Sequence, residues 1–337
     1  MTRRERVLRA INFQESDIVP YHVGLNAAPG KMLANHLGVT DYHNAIGNHF
    51  MIVSVRRDAI WTEERPGFWR DEFGVLWDKT VDEDIGNPCE YVLPEPTLKD
   101  FVWPDPRAKH RFVSSAKAFE KPDDRFSVAS VSFSLFERAW MMRGMENILL
   151  DMVANPEFLH KFLDTICDWT LELMNGMCEY PFDAVYYGDD WGSQRGLIMG
   201  PRLWREFLLP RVKRLYTAAH DKGRIVFHHS CGDVDELFDE LADAGLNVFN
   251  PFQPEALATF ELAKQYKGRL AFWGGISTQR LLPYGTPDQV RTEVRDILKR
   301  IGAGGGYIAA PAHYITKDVP LENILALVDV LQGQGKR

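Results

Sequence analysis

Cysteine, long apolar runs and clustered positive charge are all scarce in this sequence. The 337 residues include four cysteines without the spacing of a disulfide framework, which predicts a protein of the reducing cytoplasm. No run of about 18 apolar residues is present to span a bilayer, and the charged amino terminus leads into no apolar signal core. Lysine and arginine total 39 against 47 for aspartate and glutamate, without a basic stripe, which argues against nucleic acid as a partner.

Nucleotide-binding glycine motifs and internal repeats are also lacking. No Gly-x-Gly-x-x-Gly follows an early strand, as a dinucleotide-binding fold would require. The glycine run at residues 302–306 lacks the Gly-Lys-Ser/Thr ending of a phosphate loop. It precedes a predicted strand, so we predict a helix end and a tight turn there. The chemistry of the chain must therefore reside in other residues.

Strand and helix patterns alternate regularly after residue 126. Strands are predicted at 126–132, 184–188, 224–229, 247–250, 270–273 and 307–310, and helices at 157–179, 201–220, 234–244, 257–266, 287–301 and 321–331. Helices that connect successive strands make those strands parallel. We predict an α/β fold, a (β/α)₈ TIM barrel formed by residues 1–337 as a single domain. An open, doubly wound sheet is the alternative.

The first third of the chain is irregular and rich in tryptophan, proline and charge. Residues 61–80 are predicted to form a hairpin that turns near Gly74, and residues 100–125 a surface connection. Residues 1–125 are expected to supply the early barrel units plus a lid-like elaboration over the barrel mouth.

Polar side chains follow four of the predicted strands, at the end of a barrel where active sites are built. Because these strand ends converge on one rim, we expect the side chains to share a site. They are Asp189, Asp190, His229, Cys231, Asn250, Gln253 and His313.

The His229-Ser-Cys231 segment carries the sharpest chemical signal. Alternate residues of an extended chain point to the same side, so His229 and Cys231 can reach one ion, and imidazole with thiolate suits zinc. A core histidine beside a buried cysteine is the structural alternative. His228 should point the opposite way, in a structural role, and His313 becomes the third candidate ligand. Adjacent carboxylates such as Asp189 and Asp190 could orient a ligand, bind metal or cap a turn.

Several motifs in order resemble the uroporphyrinogen decarboxylase superfamily, and within it the zinc methyltransferases that exchange methyl groups with corrinoid proteins. The resemblance covers nearly the whole chain. Its motifs are Arg4-Glu-Arg-Val-Leu-Arg-Ala-Ile-Asn-Phe, Asp17-Ile-Val-Pro, Phe136-Glu-Arg-Ala-Trp, Gly188-Asp-Asp-Trp-Gly-Ser-Gln, His229-Ser-Cys-Gly-Asp, Trp273-Gly-Gly-Ile and Pro320-Leu-Glu-Asn-Ile.

The resemblance implies a zinc site with one departure from the family pattern. The methyltransferase branch holds zinc with a His-x-Cys pair, matched by His229 and Cys231, and a later cysteine, where this chain has His313. Replacing a thiolate with a neutral imidazole leaves the ion more Lewis acidic, which favours demethylation of an ether or alcohol over activation of a thiol.

The implied function is a zinc-dependent methyltransferase that moves a methyl group between a small substrate and a corrinoid protein. Zn²⁺ is the expected cofactor, and a cobalamin-type corrinoid is carried by the partner protein. The remaining rim residues would serve catalysis (Asp190, Gln253) or substrate binding (Asp189, Asn250). The sequence is also compatible with a homodimer.

Two other functions compete with this one. A metal-independent decarboxylase of the same superfamily would need arginines for the porphyrinogen carboxylates. The matching stretch, residues 21–30, contains none. A catalytically silent zinc-binding barrel is the second alternative, which the set of polar rim residues argues against.

Overall fold

The computed structural model describes residues 1–335 and confirms the predicted α/β barrel. Its strands, in chain order, are β1 (Phe50–Ser54), β2 (Thr62–Arg65), β3 (Phe68–Arg70), β4 (Leu76–Asp78), β5 (Asn87–Glu90), β6 (Phe126–Ser132), β7 (Ala184–Gly188), β8 (Gly192–Ser193), β9 (Gly196–Leu197), β10 (Ile225–His229), β11 (Val248–Phe252), β12 (Ala271–Ile276) and β13 (Tyr307–Pro311). The predicted strands after residue 126 differ from these by at most three residues at an end.

Seven of the strands form one parallel sheet in the order β1-β6-β7-β10-β11-β12-β13. All their pairings are parallel, as the intervening helices require. The segment of residues 20–25 lies between β13 and β1 and supplies the eighth position of the barrel. It forms parallel bridges from Tyr21 to Ala309 and from Leu25 to Ile315.

The seam between residues 20–25 and β1 is held partly by a side chain. The backbone N–H of His49 donates to the carbonyl of Tyr21 over 3.0 Å. Beside it, the Asn48 amide accepts from the N–H of Val23 (2.8 Å) and donates to the carbonyl of Val23 (2.9 Å). The side-chain amide of Asn48 thus takes the place of backbone hydrogen bonds between residues 20–25 and β1, and it completes the closure of the barrel.

Helices cover the outside of the sheet. They are α1 (Arg3–Ile11), α2 (Ala27–Leu37), α3 (Tyr42–Ala45), α4 (Val113–Ala118), α5 (Phe136–Arg143), α6 (Met145–Ala154), α7 (Pro156–Met177), α8 (Gly200–Phe207), α9 (Leu209–Asp221), α10 (Phe238–Asp243), α11 (Thr259–Gln265), α12 (Leu281–Tyr284), α13 (Pro287–Ile301) and α14 (Leu321–Gln332), with 3₁₀ turns at Val55–Arg57, Lys109–Phe112 and Asp235–Leu237. Within residues 1–335, no helix is long and apolar enough to cross a membrane.

The irregular first third forms a separate antiparallel sheet, β2-β3-β4-β5. The predicted hairpin near Gly74 is present, because β3 pairs with β4 around a turn in which Asp71 and Val75 are hydrogen-bonded and Gly74 has a φ of +86°. The loop before β5 reaches the barrel mouth, where Asp84 accepts from the N–H of Ala27 over 3.4 Å.

Two apolar layers hold the barrel together. Inside it, large side chains fill the end at which the strands begin, among them Phe50, Phe126, Phe227, Trp273 and Ile308. Outside it, a larger buried cluster lies between the sheet and the helices. Apolar side chains therefore close one end of the barrel, and the polar rim residues lie at the other.

Candidate metal centre

His229 is the last residue of β10 and stands in the middle of the rim. The parallel register places it beside Gly188 of β7 on one side and Asn250 of β11 on the other. Strand alternation turns the neighbouring His228 outward, where it is fully buried against Trp191 with ring centroids 4.3 Å apart. His228 therefore has the structural position that was predicted for it.

Cys231 follows in a tight turn. Two residues that lie just beyond the ends of neighbouring strands hold this turn in place. The backbone N–H of Cys231 donates to Oδ1 of Asp190 over 2.8 Å, and the N–H of Gly232 donates to Oε1 of Gln253 over 3.0 Å. Gly232 has a φ of +89° and lies against the backbone of Gly192 and Ser193, where a Cβ atom would clash. The turn brings the thiol back towards His229.

His313, beyond β13, completes a cluster of three ligand atoms. The ligand atoms of His229, Cys231 and His313 all lie within 4.8 Å of one another. The Cys231 Sγ to His229 Nε2 distance is 3.3 Å, close to the roughly 3.5 Å that tetrahedral zinc requires, given Zn–S and Zn–N bonds of about 2.3 and 2.0 Å. The donors thus fit zinc and leave one coordination position for a substrate.

The ring of His229 is oriented by a short chain of hydrogen bonds. Nδ2 of Asn250 donates to the carbonyl of Trp273 over 2.9 Å, which directs the amide oxygen of Asn250 towards His229. That oxygen accepts from Nδ1 of His229 (2.6 Å) and from the hydroxyl of Tyr186 (2.5 Å). The proton on Nδ1 leaves the lone pair of Nε2 facing Cys231, the tautomer that a metal ligand needs.

The cluster opens into a cavity of about 410 Å³ at the barrel mouth, within the range of small-molecule sites. All eight barrel positions contribute side chains, and Asp84 and Ile85 of the loop before β5 add to the lining. The barrel residues include His22, Ile52, Arg56, Ser130, Glu137, Tyr186, Asp190, His229, Asn250, Trp273, His313 and Tyr314.

Two carboxyl groups line this cavity near the thiol. Burial, and then the charges of Asp190 and Asp189, raise the pKa of Glu137 well above its usual range. Burial, followed by the charges of Asp190 and Glu137, raises the pKa of the Cys231 thiol. Burial and the neighbouring His229 lower the pKa of His313 to about 4. At neutral pH the Cys231 thiol therefore stays protonated and the imidazole of His313 stays neutral, while the carboxyl group of Glu137 is a weaker acid than an ordinary glutamate.

Zinc affinity is expected to rise about tenfold per pH unit between pH 7.5 and 9, because binding must release one proton from Cys231 while His313 is already neutral. Competition with a chelator of known affinity measures the slope. Cys231→His supplies a neutral ligand and should bind zinc with almost no slope over the same range. A flat profile in the wild-type protein would contradict thiolate ligation.

The structure corrects the substrate-binding role predicted for Asp189. Its side chain is fully buried and accepts from the N–H groups of Phe136 (2.9 Å) and Glu137 (2.8 Å) and from the indole of Trp191 (2.6 Å). A further bond comes from the N–H of Leu135. Every acceptor position is used at the start of α5, so Asp189 caps that helix and does not reach the cavity.

Two further predictions are corrected in part. Gln253 is buried and bonded to the turn after Cys231, so it positions the ligand loop and does not line the cavity. Asn250 does line the cavity, but its amide is occupied by His229, Tyr186 and Trp273. Both residues contact candidate ligands or the turn that holds them, and Asp190 alone of the two predicted catalytic residues lines the cavity.

Sequence reasoning missed several residues of the cavity, of which Glu137, Tyr186 and Arg56 matter most. Tyr186 could have been found, since it alternates in phase with Gly188 and Asp190 along the extended chain. Glu137 lies five residues beyond β6, in a helix, and Arg56 follows β1, which was not among the predicted strands. Looking directly behind the predicted strands therefore did not reach them. The glycine run at 302–306 lies at the opposite end, as predicted, with Gly306 N–H bonded to the carbonyl of Ala10.

This barrel matches a known protein family. The chain belongs to the uroporphyrinogen decarboxylase family, whose sequence model, described as Uroporphyrinogen decarboxylase (URO-D), matches residues 104–333. A uroporphyrinogen decarboxylase of Mannheimia succiniciproducens is 25% identical over 246 residues, 69% of this chain and 67% of the relative. The superfamily resemblance in the sequence motifs is thereby confirmed.

Methyltransferases are among the similar proteins as well. The methylated-thiol–coenzyme M methyltransferase of Methanosarcina mazei is 23% identical over 257 residues, which cover 75% of this chain and 65% of that protein. A solved methyltransferase structure from the same organism superposes with a TM-score of 0.75 at 17% identity, over 98% of both chains. At that identity the superposition shows the shared fold.

Proposed function

We propose that the protein is a zinc-dependent methyltransferase that removes a methyl group from a small methyl ether or similar substrate and loads it onto a corrinoid protein. The convergence of His229, Cys231 and His313 at the cavity carries this proposal. Three ligands leave the open position of a catalytic zinc. The similarity to a methylated-thiol–coenzyme M methyltransferase supports methyl transfer as the reaction class.

Bound zinc would supply Lewis acidity towards the oxygen of the substrate. The methyl group would leave that oxygen for the electron pair of the partner's Co(I), and the C–O electron pair would stay on the oxygen. Glu137, whose pKa burial raises, lines the cavity and would deliver a proton to the departing oxygen. Asp190, whose Oδ1 lies 3.6 Å from Nε2 of His229, would orient the substrate beside the metal.

Decarboxylation of a porphyrinogen is the second candidate, because several relatives carry the name uroporphyrinogen decarboxylase. The charge of the cavity argues against it. Arg56 is the one arginine or lysine among the lining residues, against the carboxyl groups of Asp84, Glu137 and Asp190. A substrate with many carboxylates would find too few counter-charges here. A zinc-binding barrel without catalysis is the third candidate, and it predicts metal without turnover.

A cobalt assay tests the proposed reaction. Reduced corrinoid protein is mixed with the enzyme and a methyl ether, and the absorbance of Co(I) is followed. We expect Co(I) to be consumed at a rate proportional to the enzyme concentration, and the Glu137→Gln and Asp190→Asn enzymes to consume it about 100-fold more slowly. If no ether, alcohol, amine or thioether donor consumes Co(I), and porphyrinogen is decarboxylated, the second candidate holds.

The preference for an oxygen leaving group depends on His313. His313→Cys restores the thiolate that the resemblance places there and should keep zinc bound. With a less Lewis-acidic metal, the ratio of ether to thioether demethylation should fall. An unchanged ratio would remove the argument for O-demethylation while leaving methyl transfer in place.

The remaining features are proposed along with this activity. The enzyme would act in the cytoplasm as a single (β/α)₈ domain, with residues 1–125 supplying early barrel units and the cover of the mouth. A homodimer is compatible with it. Size-exclusion chromatography with light scattering measures the assembly directly.

A further inference from the structure

Arg56 lines the cavity at a different position of the barrel from the metal cluster. It belongs to the 3₁₀ turn Val55–Arg57, directly after β1. In the order of the sheet, β6 and β7 separate β1 from β10, which ends at His229. Arg56 and two of the candidate metal ligands, His229 and His313, line the same cavity. A small molecule with one end at the cluster therefore has Arg56 within the same enclosed space.

The guanidinium group of Arg56 has no anionic partner among residues 1–335. Its side chain makes neither a hydrogen bond nor an ion pair there, and the one bond of this residue is from its backbone N–H to the hydroxyl of Ser54. It lies instead over the ring of Phe133, with Cζ 4.5 Å from the centroid, and near Trp61 at 5.8 Å. Aromatic faces hold a cation in place and leave its N–H donors free.

A second arginine near Phe133, Arg138, differs from Arg56 because its guanidinium group has an anionic partner. Arg138 also lies near Phe133, at 5.7 Å, but its guanidinium pairs with Asp71 over 3.1 Å. Asp71 is further occupied by the indole of Trp77. The Asp71 carboxylate is thus committed to Arg138 and Trp77, and the side-chain N–H groups of Arg56 have no hydrogen-bond acceptor among residues 1–335. Burial lowers the pKa of Arg56 to about 10, so it stays charged at neutral pH.

The other charges of the cavity limit what the missing partner can be. Asp84 and Asp190 line the same space, so a ligand with several negative charges would be repelled. A single planar carboxylate matches the fork of one guanidinium group. The aromatic surfaces of Phe133, Tyr186 and Trp273 suit an apolar body between the acid group and the methyl group.

We propose that the substrate of this enzyme carries a carboxylate group, and that Arg56 binds this group within the cavity that the metal cluster shares. The inference rests on the proposed methyl transfer, since it adds the second recognition group of that substrate. It makes Arg56 a specificity-determining residue.

Direct binding tests the inference without any turnover. Isothermal titration of the zinc-loaded protein uses 4-methoxybenzoate as the probe and 4-methoxybenzamide as its uncharged analogue. We expect the benzoate to bind at least tenfold more tightly than the amide. Arg56→Gln should weaken the benzoate by about 10- to 100-fold and change the amide by less than twofold. Arg57→Gln, an adjacent and exposed arginine, is the matched control and should leave both ligands unaffected.

Three results would overturn the inference. The benzoate could bind no better than the amide, Arg56→Gln could weaken both ligands equally, or 4-methoxybenzenesulfonate could bind more tightly than the benzoate. Circular dichroism of Arg56→Gln excludes unfolding as the cause. The failure of the proposed function is separate: Arg56-dependent binding of the benzoate without Co(I) consumption would leave the acid site standing and remove the methyl transfer.

Discussion

Cys231→Ser is expected to abolish zinc binding at physiological concentrations of the metal. The wild-type protein should retain about one zinc per chain after dialysis, and this variant less than a tenth of that. The thiolate is the strongest donor of the cluster, and a serine hydroxyl does not ionise near neutral pH. Since Cys231 Sγ lies only 3.3 Å from His229 Nε2, His229→Ala should have an effect of similar size. Metal analysis by mass spectrometry measures both.

Cys178→Ser is the matched control for this experiment. Cys178 is a free, half-buried cysteine whose Sγ lies 3.4 Å from Sδ of Met174 and that is not part of the candidate metal cluster. The variant should keep its zinc and its methyl-transfer rate. Zinc that survives Cys231→Ser together with His229→Ala would place the metal elsewhere, and the proposed function would lose its main support.

Asp189→Ala is expected to cost about 4 kcal/mol in the free energy of unfolding, the largest stability effect that we foresee from a residue of the rim. The change leaves the N–H of Leu135, the first two N–H groups of α5 and the indole of Trp191 without their acceptor. Each buried donor without a partner costs roughly 1–3 kcal/mol, reduced where water or a shift of the helix compensates. Urea denaturation followed by tryptophan fluorescence measures the loss.

Asp190→Ala, at the next residue, is expected to lower the activity much more than the stability. The Asp190 carboxylate accepts the backbone N–H of Cys231 and is about a third exposed, so its removal should cost about 1 kcal/mol. Methyl transfer should nevertheless fall by about 100-fold. Equal stability losses in the two variants would mean that the assignment of one aspartate to the helix and one to the cavity is wrong.

The barrel itself could be predicted because its signals are local and repeated. Strand residues 126–132 and 184–188 and the helix at 287–301 agree with the structure at both ends. The predicted helix at 201–220 is in fact two helices that meet at Leu208. Pro210 lacks the N–H needed for a continuous helix, so the sequence contained the signal for this break.

The first barrel position had no comparable signal. Residues 20–25 form only two isolated bridges, and the amide that completes their pairing belongs to Asn48, more than twenty residues away. A strand whose partner groups come from a distant side chain has no periodic pattern of its own. The eight-stranded closure followed from the repeated units after residue 126, not from this segment.

The candidate site likewise contains some residues that could be predicted from the sequence and others that could not. His229, Cys231 and His313 were found because zinc requires particular residue types at strand ends. The choice between Asp189 and Asp190 depended on which side of the extended chain each carboxylate occupies. Their alternation with the inward-facing Tyr186 settles it in favour of Asp190. Arg56 could not be predicted from the sequence. Its proposed role depends on its having no carboxylate partner among residues 1–335, and only the structure shows this.

The seam at Asn48 has a consequence for the motions of the barrel. Local opening is least costly where few backbone bonds join two segments, so amide hydrogen exchange at Val23 and His49 should be faster than in the strand β10. The segment that would detach includes His22, Gly24 and Leu25, which form one wall of the cavity. Opening at this seam would widen the cavity from the side, independently of its mouth, and a ligand that fills the cavity should slow exchange at the seam as well as at the rim.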